Sequence, residues 1–219
     1  TILGGIFSQG FVAERLIVFG DAARTAANIL THKSLFQWGF TVYLIEMTCQ
    51  ITFTMLFYAL LKPVNRNLAR IATALALAGC IIKTMSRLFF IAPLLVLEGA
   101  HYSTAFNVEQ SHALSLLFLQ VNDMGAAIAL AFFGSSTLLK GVLMVKATFL
   151  PRILGVLSIM GGLGFLTYLS PPVGYTMFPY VAAVGLLGAI AQIGWLLIRG
   201  VDEARWNAQA RVAAASIWK

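Results

Sequence analysis

Long apolar blocks alternate with short polar breaks along most of this chain. The blocks cover about 1–16, 35–61, 68–97, 112–144, 151–169 and 176–199, and a polar tail fills 200–219. Each of the longer blocks approaches or exceeds the ~20 residues that an α-helix needs to cross about 30 Å of hydrocarbon. The first block is already apolar at Thr1, so its helix is expected to begin upstream of that residue. The breaks carry their own signals. GDAARTAANILTHKS (20–34) puts Asp21 where an N-cap belongs, and Ala22 to Leu30 suits a short surface helix. In KPVNRN, Pro63 and two Asn residues stop a helix, and Pro93 permits a kink near the end of the third block. EGAHYSTAFNVEQSH reads as a polar loop, Pro151 opens the fifth block, and SPPVGYT reads as a break before the sixth. The pattern predicts an all-α integral membrane protein, a bundle of six transmembrane helices with a cytoplasmic or interfacial tail.

Composition narrows this further. The 219 residues are 59% hydrophobic and 11% charged, against the roughly 25% charge usual in soluble domains. Too little polar sequence remains between the blocks for a separate soluble domain. The net charge of +7 is dispersed singly and in short loops, which reads as topology and not as a nucleic-acid footprint. Lys62, Arg66 and Arg70 share one connection without an acid, Lys146 and Arg152 flank another, and Arg199, Arg205, Arg211 and Lys219 mark the tail. Glu98, Glu109 and a mixed first loop (Asp21, Arg24, Lys33) occupy the other side. Positive loops face the cytoplasm, so both termini are expected inside. Cys49 and Cys80 lie within apolar blocks, where a structural disulfide is not expected, and no signal peptide is evident. Gly161, Gly162, Gly164, Gly185 and Gly188 suit close helix packing. Trp206 and Trp218 in the tail suit a segment lying along the inner leaflet.

The chemistry-bearing residues inside the apolar blocks are few. Glu46 and Asp123 each fall about 11 residues from the outer end of their block, and Lys83 and Arg87 about 14 and 10 residues from theirs, so at 1.5 Å per residue all four share one depth. A charge there costs at least ~2.5 kcal/mol, which drives it to face the bundle interior and find a partner. Lys83 and Arg87 are four apart on one helix face, so Glu46 and Asp123 are the expected counter-charges. Tyr43, Gln50, Gln120 and Asn122 would extend the network. Such a cluster suits a small solute, a lipid or an ion, with no cofactor required; a purely structural network that fixes helix register is the competing reading. A second pattern is Glu98-Gly-Ala-His101 and Glu109-Gln-Ser-His112, two Glu-x-x-His pairs of the kind that ligate metal in helical bundles. The further bridging acids such sites use are absent at this level, so solvated loop polarity is the expected role. No phosphate-binding Gly loop, metal-spaced cysteine set or Gly-x-Ser-x-Gly elbow occurs, so a membrane enzyme, which would need an ordered metal or a lipid headgroup among Glu98, His101, Glu109 and His112, ranks third behind the two expectations below.

GDAARTAANIL (20–30), YALLKPVNRNLA (58–69), LPRILGVL (150–157) and GWLLIRGV (194–201) together resemble a prokaryotic membrane family, domain of unknown function 4386. The resemblance runs the length of the chain and implies a compact multi-helix protein of the bacterial cytoplasmic (inner) membrane, with no activity attached. Family members often carry a His-Cys pair after Phe-Phe-Gly in the fourth span, where this chain reads FFGSST (132–137), and an acid near the position of Gln50. The sequence leads to two functional expectations. One is binding or transport of a small solute, lipid or ion through the buried polar cluster. The other is an accessory subunit packed against a larger membrane complex.

Overall fold

The computed structural model describes residues 2–98 and 106–215, and among these residues it is helical with no strand. The chain opens with α1 (Ile2–Gly5), a π-helical stretch (Ile6–Ala13) and α2 (Glu14–Leu16). Then come α3 (Ala22–Thr31), α4 (Lys33–Leu61), α5 (Arg66–Glu98), α6 (Val108–Lys146), α7 (Arg152–Leu166), α8 (Pro171–Ile198) and α9 (Glu203–Ala215). A short 3-10 turn, Thr167–Leu169, extends α7. Among the described residues, five helices are long and apolar enough to cross a membrane: α4, α5, α6, α7 with its 3-10 turn, and α8. The described part of the first block is shorter than these.

Helix starts follow local capping chemistry. Asp21 Oδ1 accepts from Arg24 N at 2.8 Å, as its position implied, and Asn65 Oδ1 accepts from Leu68 N at 2.9 Å. Two boundaries differ from the sequence pattern. Asn107 and Gln110 form a reciprocal cap, with Gln110 N donating to Asn107 Oδ1 (2.8 Å) and Asn107 N to Gln110 Oε1 (3.0 Å). That cap starts α6 four residues before 112, which puts Glu109 and His112 on the helix. SPPVGYT breaks the chain only at Ser170: Pro171 takes the first helical position, where its missing N–H costs nothing. α5 runs on through Pro93 to Glu98.

The chain divides into two compact units. Unit 1 comprises Thr1–Ile51 and Cys80–Ala126. Its apolar core joins Val12, Leu16, Ile29, Phe36, Tyr43, Phe90, Leu94 and Leu119, with Phe36 and Phe90 stacked at 4.4 Å. Amphipathic α3 buries Thr25, Ala26 and Ile29. The Thr25 hydroxyl accepts from Val18 N (3.0 Å) and donates to Val18 O (3.1 Å), and Asn28 Nδ2 donates to Leu16 O (3.2 Å), so α3 also closes the backbone left open where α2 ends. Lys33 and Glu98 pair at 2.7 Å, but both are well exposed, so the pair adds at most ~1 kcal/mol.

Unit 2 comprises Thr52–Gly79 and Ala127–Lys219. Here α6 and α7 touch backbone to backbone. Gly134 and Gly141 on α6 face Gly155 and Gly162 on α7, and each pair is seven residues apart, two turns along one helix face. A Cβ on Gly155 would stand 2.6 Å from Val145 N, and one on Gly162 would stand 2.6 Å from Leu138 N. Only glycine fits these contacts. Of the glycines singled out by pattern, Gly162 carries this packing and Gly164 meets Val181 of α8, while Gly161, Gly185 and Gly188 have room. Ser136 Oγ donates to Ala72 O at 2.7 Å and fixes α6 to α5 within the unit. The described part of the tail forms the helix α9, which is tied to its unit. Trp206 Nε1 donates to Leu60 O (3.0 Å), and Gln209 Oε1 accepts from Thr148 N (3.2 Å) and Thr148 Oγ1 (3.0 Å). Trp218 lies outside the described residues.

Candidate functional site

The polar cluster lies within unit 1, on α4, α5 and α6. Residues 43, 46 and 50 recur at helical spacing along α4, and 83 and 87 along α5, so each helix turns one polar stripe inward. Lys83 Nζ meets Glu46 Oε1 at 2.8 Å, the ion pair that their depth implied. Arg87 is 2% exposed and is held from two sides. One guanidinium nitrogen, NH1, donates to Asn122 Oδ1 at 2.9 Å, and the group lies over the Tyr43 ring, 3.7 Å from its centroid. Asn122 Nδ2 in turn donates to Asp123 Oδ1 at 3.1 Å, so Asp123 reaches Arg87 through the amide between them. The expectation that two acids and two bases pair off directly is thus met by Glu46 and Lys83, while Arg87 relies on an amide and an aromatic face.

Close approach of α5 and α6 makes this geometry attainable. A Cβ on Gly125 would stand 2.6 Å from Ser86 Cβ. Ser86 adjoins Arg87 and Gly125 lies one turn beyond Asn122, so the missing side chain lets the guanidinium and the amide meet. Neither residue was distinguished by the sequence pattern. Gln9 is a further member: Tyr43 OH donates to Gln9 Oε1 at 2.7 Å. An amide inside the apolar run 1–16 was the one available signal. Gln50 is half-buried one turn from Glu46, whereas Gln120 is exposed, pointing away from the cluster it was expected to extend. The stripe on α6 is therefore 122–123 and not 120–123.

Two buried atoms of the cluster have no hydrogen-bond partner, Glu46 Oε2 and Arg87 Nε. Buried polar atoms are nearly always satisfied, and each exception costs about 1–3 kcal/mol, more where the group is charged. One is an acceptor and the other a donor, so the cluster retains two complementary, unused bonding positions.

Three residues of the second pattern are described. Glu98 is engaged with Lys33, Glu109 is exposed in the first turn of α6, and His112 is half-buried on the same helix. His101 lies outside the described residues. Among the described residues no group of three or more His, Cys, Asp and Glu side chains is placed to hold a metal. Cys49 is exposed, Cys80 is buried, and neither forms a disulfide.

No curated protein and no solved structure matches the chain. A family profile does match, over residues 1–200, which takes in unit 1 with all of the cluster and unit 2 up to just before α9. The chain belongs to that family, the domain of unknown function (DUF4386).

Proposed function

We propose that this protein is embedded in the bacterial cytoplasmic membrane and binds a small polar solute or ion at the cluster of Glu46, Lys83, Arg87, Asn122 and Asp123, with Gln50 beside it. The observation that carries the reading is the pair of unsatisfied buried atoms, Glu46 Oε2 and Arg87 Nε. A ligand offering one donor and one acceptor would complete both, and a cluster serving only to fix helix register gains nothing by leaving them open. Membrane embedding is supported by the surface of α8, a 28-residue helix whose most apolar window is only 6% buried. Tyr175, Phe178, Tyr180, Leu187, Leu197 and Ile198 of α8 are all exposed. Large apolar side chains exposed along a whole helix suit contact with lipid. The first apolar block supports counting a sixth span, and the basic loops support placing both termini inside. The exposed aromatic face of α8 also favours a second reading, an accessory subunit docked there on a larger membrane complex. Cross-linking from a photoreactive residue at position 180 in intact cells would capture one recurrent partner in that case and only lipid in the first.

Hydroxyl-radical footprinting of the wild-type protein in lipid nanodiscs tests both halves of the proposal. Tyr43 and Met47 are 2% and 3% exposed, so radicals reach them only through water in the cluster. Met55 and Met85 are 49% and 57% exposed and are shielded only by lipid. The expected outcome is oxidation of Tyr43 and Met47 with Met55 and Met85 spared. Protection of Tyr43 and Met47 would mean a dry, structural network, and oxidation of Met55 and Met85 would overturn the embedding.

A further inference from the structure

Unit 2 carries a cleft of about 1060 Å³ where α4 gives way to α5. Tyr58 lines it together with Lys62, Arg66, Arg70, Trp206 and Gln209, and among the described residues no acid lines it. Lys62, Arg66 and Arg70 are exposed, and the Tyr58 hydroxyl faces the two guanidinium groups. Arg66 and Arg70 are four apart on one face, an arrangement that repels in the absence of a counter-ion. Topology requires basic residues at this end of the helices but does not require them to converge on one cavity.

The far wall is built, not incidental. α9 is held over the cleft by the bonds of Trp206 to Leu60 and of Gln209 to Thr148, and Arg205 adds a longer contact from NH1 to Thr148 O at 3.4 Å. The depth is informative. Phe57 and Leu61 belong to the apolar core of unit 2, and Lys62 follows immediately. Trp206 binds the carbonyl of Leu60, at the level where apolar helix gives way to charge, which is where indoles concentrate in membrane proteins. The cleft therefore opens at headgroup level. Guanidinium groups bind phosphate through paired N–H donors, and an ammonium adds a point charge.

We propose that this cleft binds the phosphate of an anionic phospholipid between Arg66 and Arg70, with Lys62 as a third cation and Trp206 at the lipid interface. The proposal rests on the membrane embedding argued above and is independent of the unit 1 cluster. Native mass spectrometry of the detergent-solubilised full chain, given equal phosphatidylglycerol and phosphatidylcholine, provides the test. Wild type is expected to retain phosphatidylglycerol preferentially, and Arg66→Gln and Arg70→Gln each to lower that preference about fivefold. Arg66→Lys and Arg70→Lys should keep most of it. Arg152→Gln, which removes the same charge outside the cleft, should leave it unchanged. Three results overturn the site: no preference in wild type, an equal loss in Arg152→Gln, or inorganic phosphate binding without phospholipid selectivity, which would identify a soluble anion as the ligand. A protein that remains soluble without detergent would sink the embedding instead, so the two failures are distinguishable.

Discussion

Unit 1 sets Glu46, Lys83, Arg87 and Asn122 where its helices meet, and unit 2 sets Gly134, Gly141, Gly155 and Gly162 there. In the membrane setting proposed above, lipid supplies little hydrophobic force between helices, so association depends on polar bonds or on close van der Waals contact. Both devices occur in each unit, with Gly125 against Ser86 in unit 1 and Ser136 bonded to Ala72 in unit 2, but charged and amide side chains dominate the first and glycine contacts the second. They differ in what they leave behind. Glycine contacts consume the whole interface, whereas the charged cluster keeps two bonding positions open, which is why the candidate site belongs to unit 1. Unit 2 holds its polarity at a helix end, in the cleft under α9.

The largest expected effect that would break this comparison is in unit 1. Glu46→Leu strands the Lys83 charge and should cost about 3–5 kcal/mol, while Glu46→Leu with Lys83→Met should return close to wild-type stability. Denaturant unfolding in detergent checks this, and a single variant as stable as wild type would show that the pair does not hold the unit. The counterpart in unit 2 is Gly162→Ala. In an open helix position such a change gains up to about 1 kcal/mol, but here the new Cβ strikes the Leu138 backbone, and a loss of about 1–3 kcal/mol is expected. Gly194 has nothing within 4 Å, so Gly194→Ala should show the gain. Equal shifts in thermal midpoint for the two variants would remove glycine packing as the dominant device of unit 2. The smallest effect sharpens the role of α9. Trp206→Phe keeps an aromatic ring but loses the bond to Leu60 O, about 0.5–1.5 kcal/mol. Limited proteolysis should then cut between 200 and 206 sooner, and an unchanged cleavage rate would mean that other contacts hold the helix.

The sequence conveyed much of this arrangement, for physical reasons that also explain what it did not convey. Charges inside apolar blocks are costly enough to be conspicuous, so Glu46, Lys83, Arg87 and Asp123 stood out, and a common depth followed from counting residues. Which charge meets which depends on helix rotation, and periodicity left that open; Arg87 finds Asn122 and Tyr43 because Gly125 lets α5 and α6 close up. Glycine is common in apolar helices for several reasons, so Gly155 and Gly141 gave no sign of their roles, and the cluster at 161–164 drew attention that belonged partly elsewhere. The cap at Asn107 was hidden in a loop that read as uniformly polar. The bond from Trp206 to Leu60 joins residues 146 apart, which no local pattern encodes.

The π-helical stretch at Ile6–Ala13 has a bearing on descent within the family. Bonding from i to i+5 takes up more chain per turn than an α-helix does, so such a stretch accommodates an inserted residue without disturbing the helix on either side. Ser8, which donates to Gly39 O at 3.1 Å, and Gln9, which accepts from Tyr43, both lie within it. Relatives one residue shorter here would carry an ordinary α-helix and present a neighbouring side chain at each of these positions. A difference in length of a single residue, easily dismissed as a gap, would thus exchange the amide that reaches the cluster for another group.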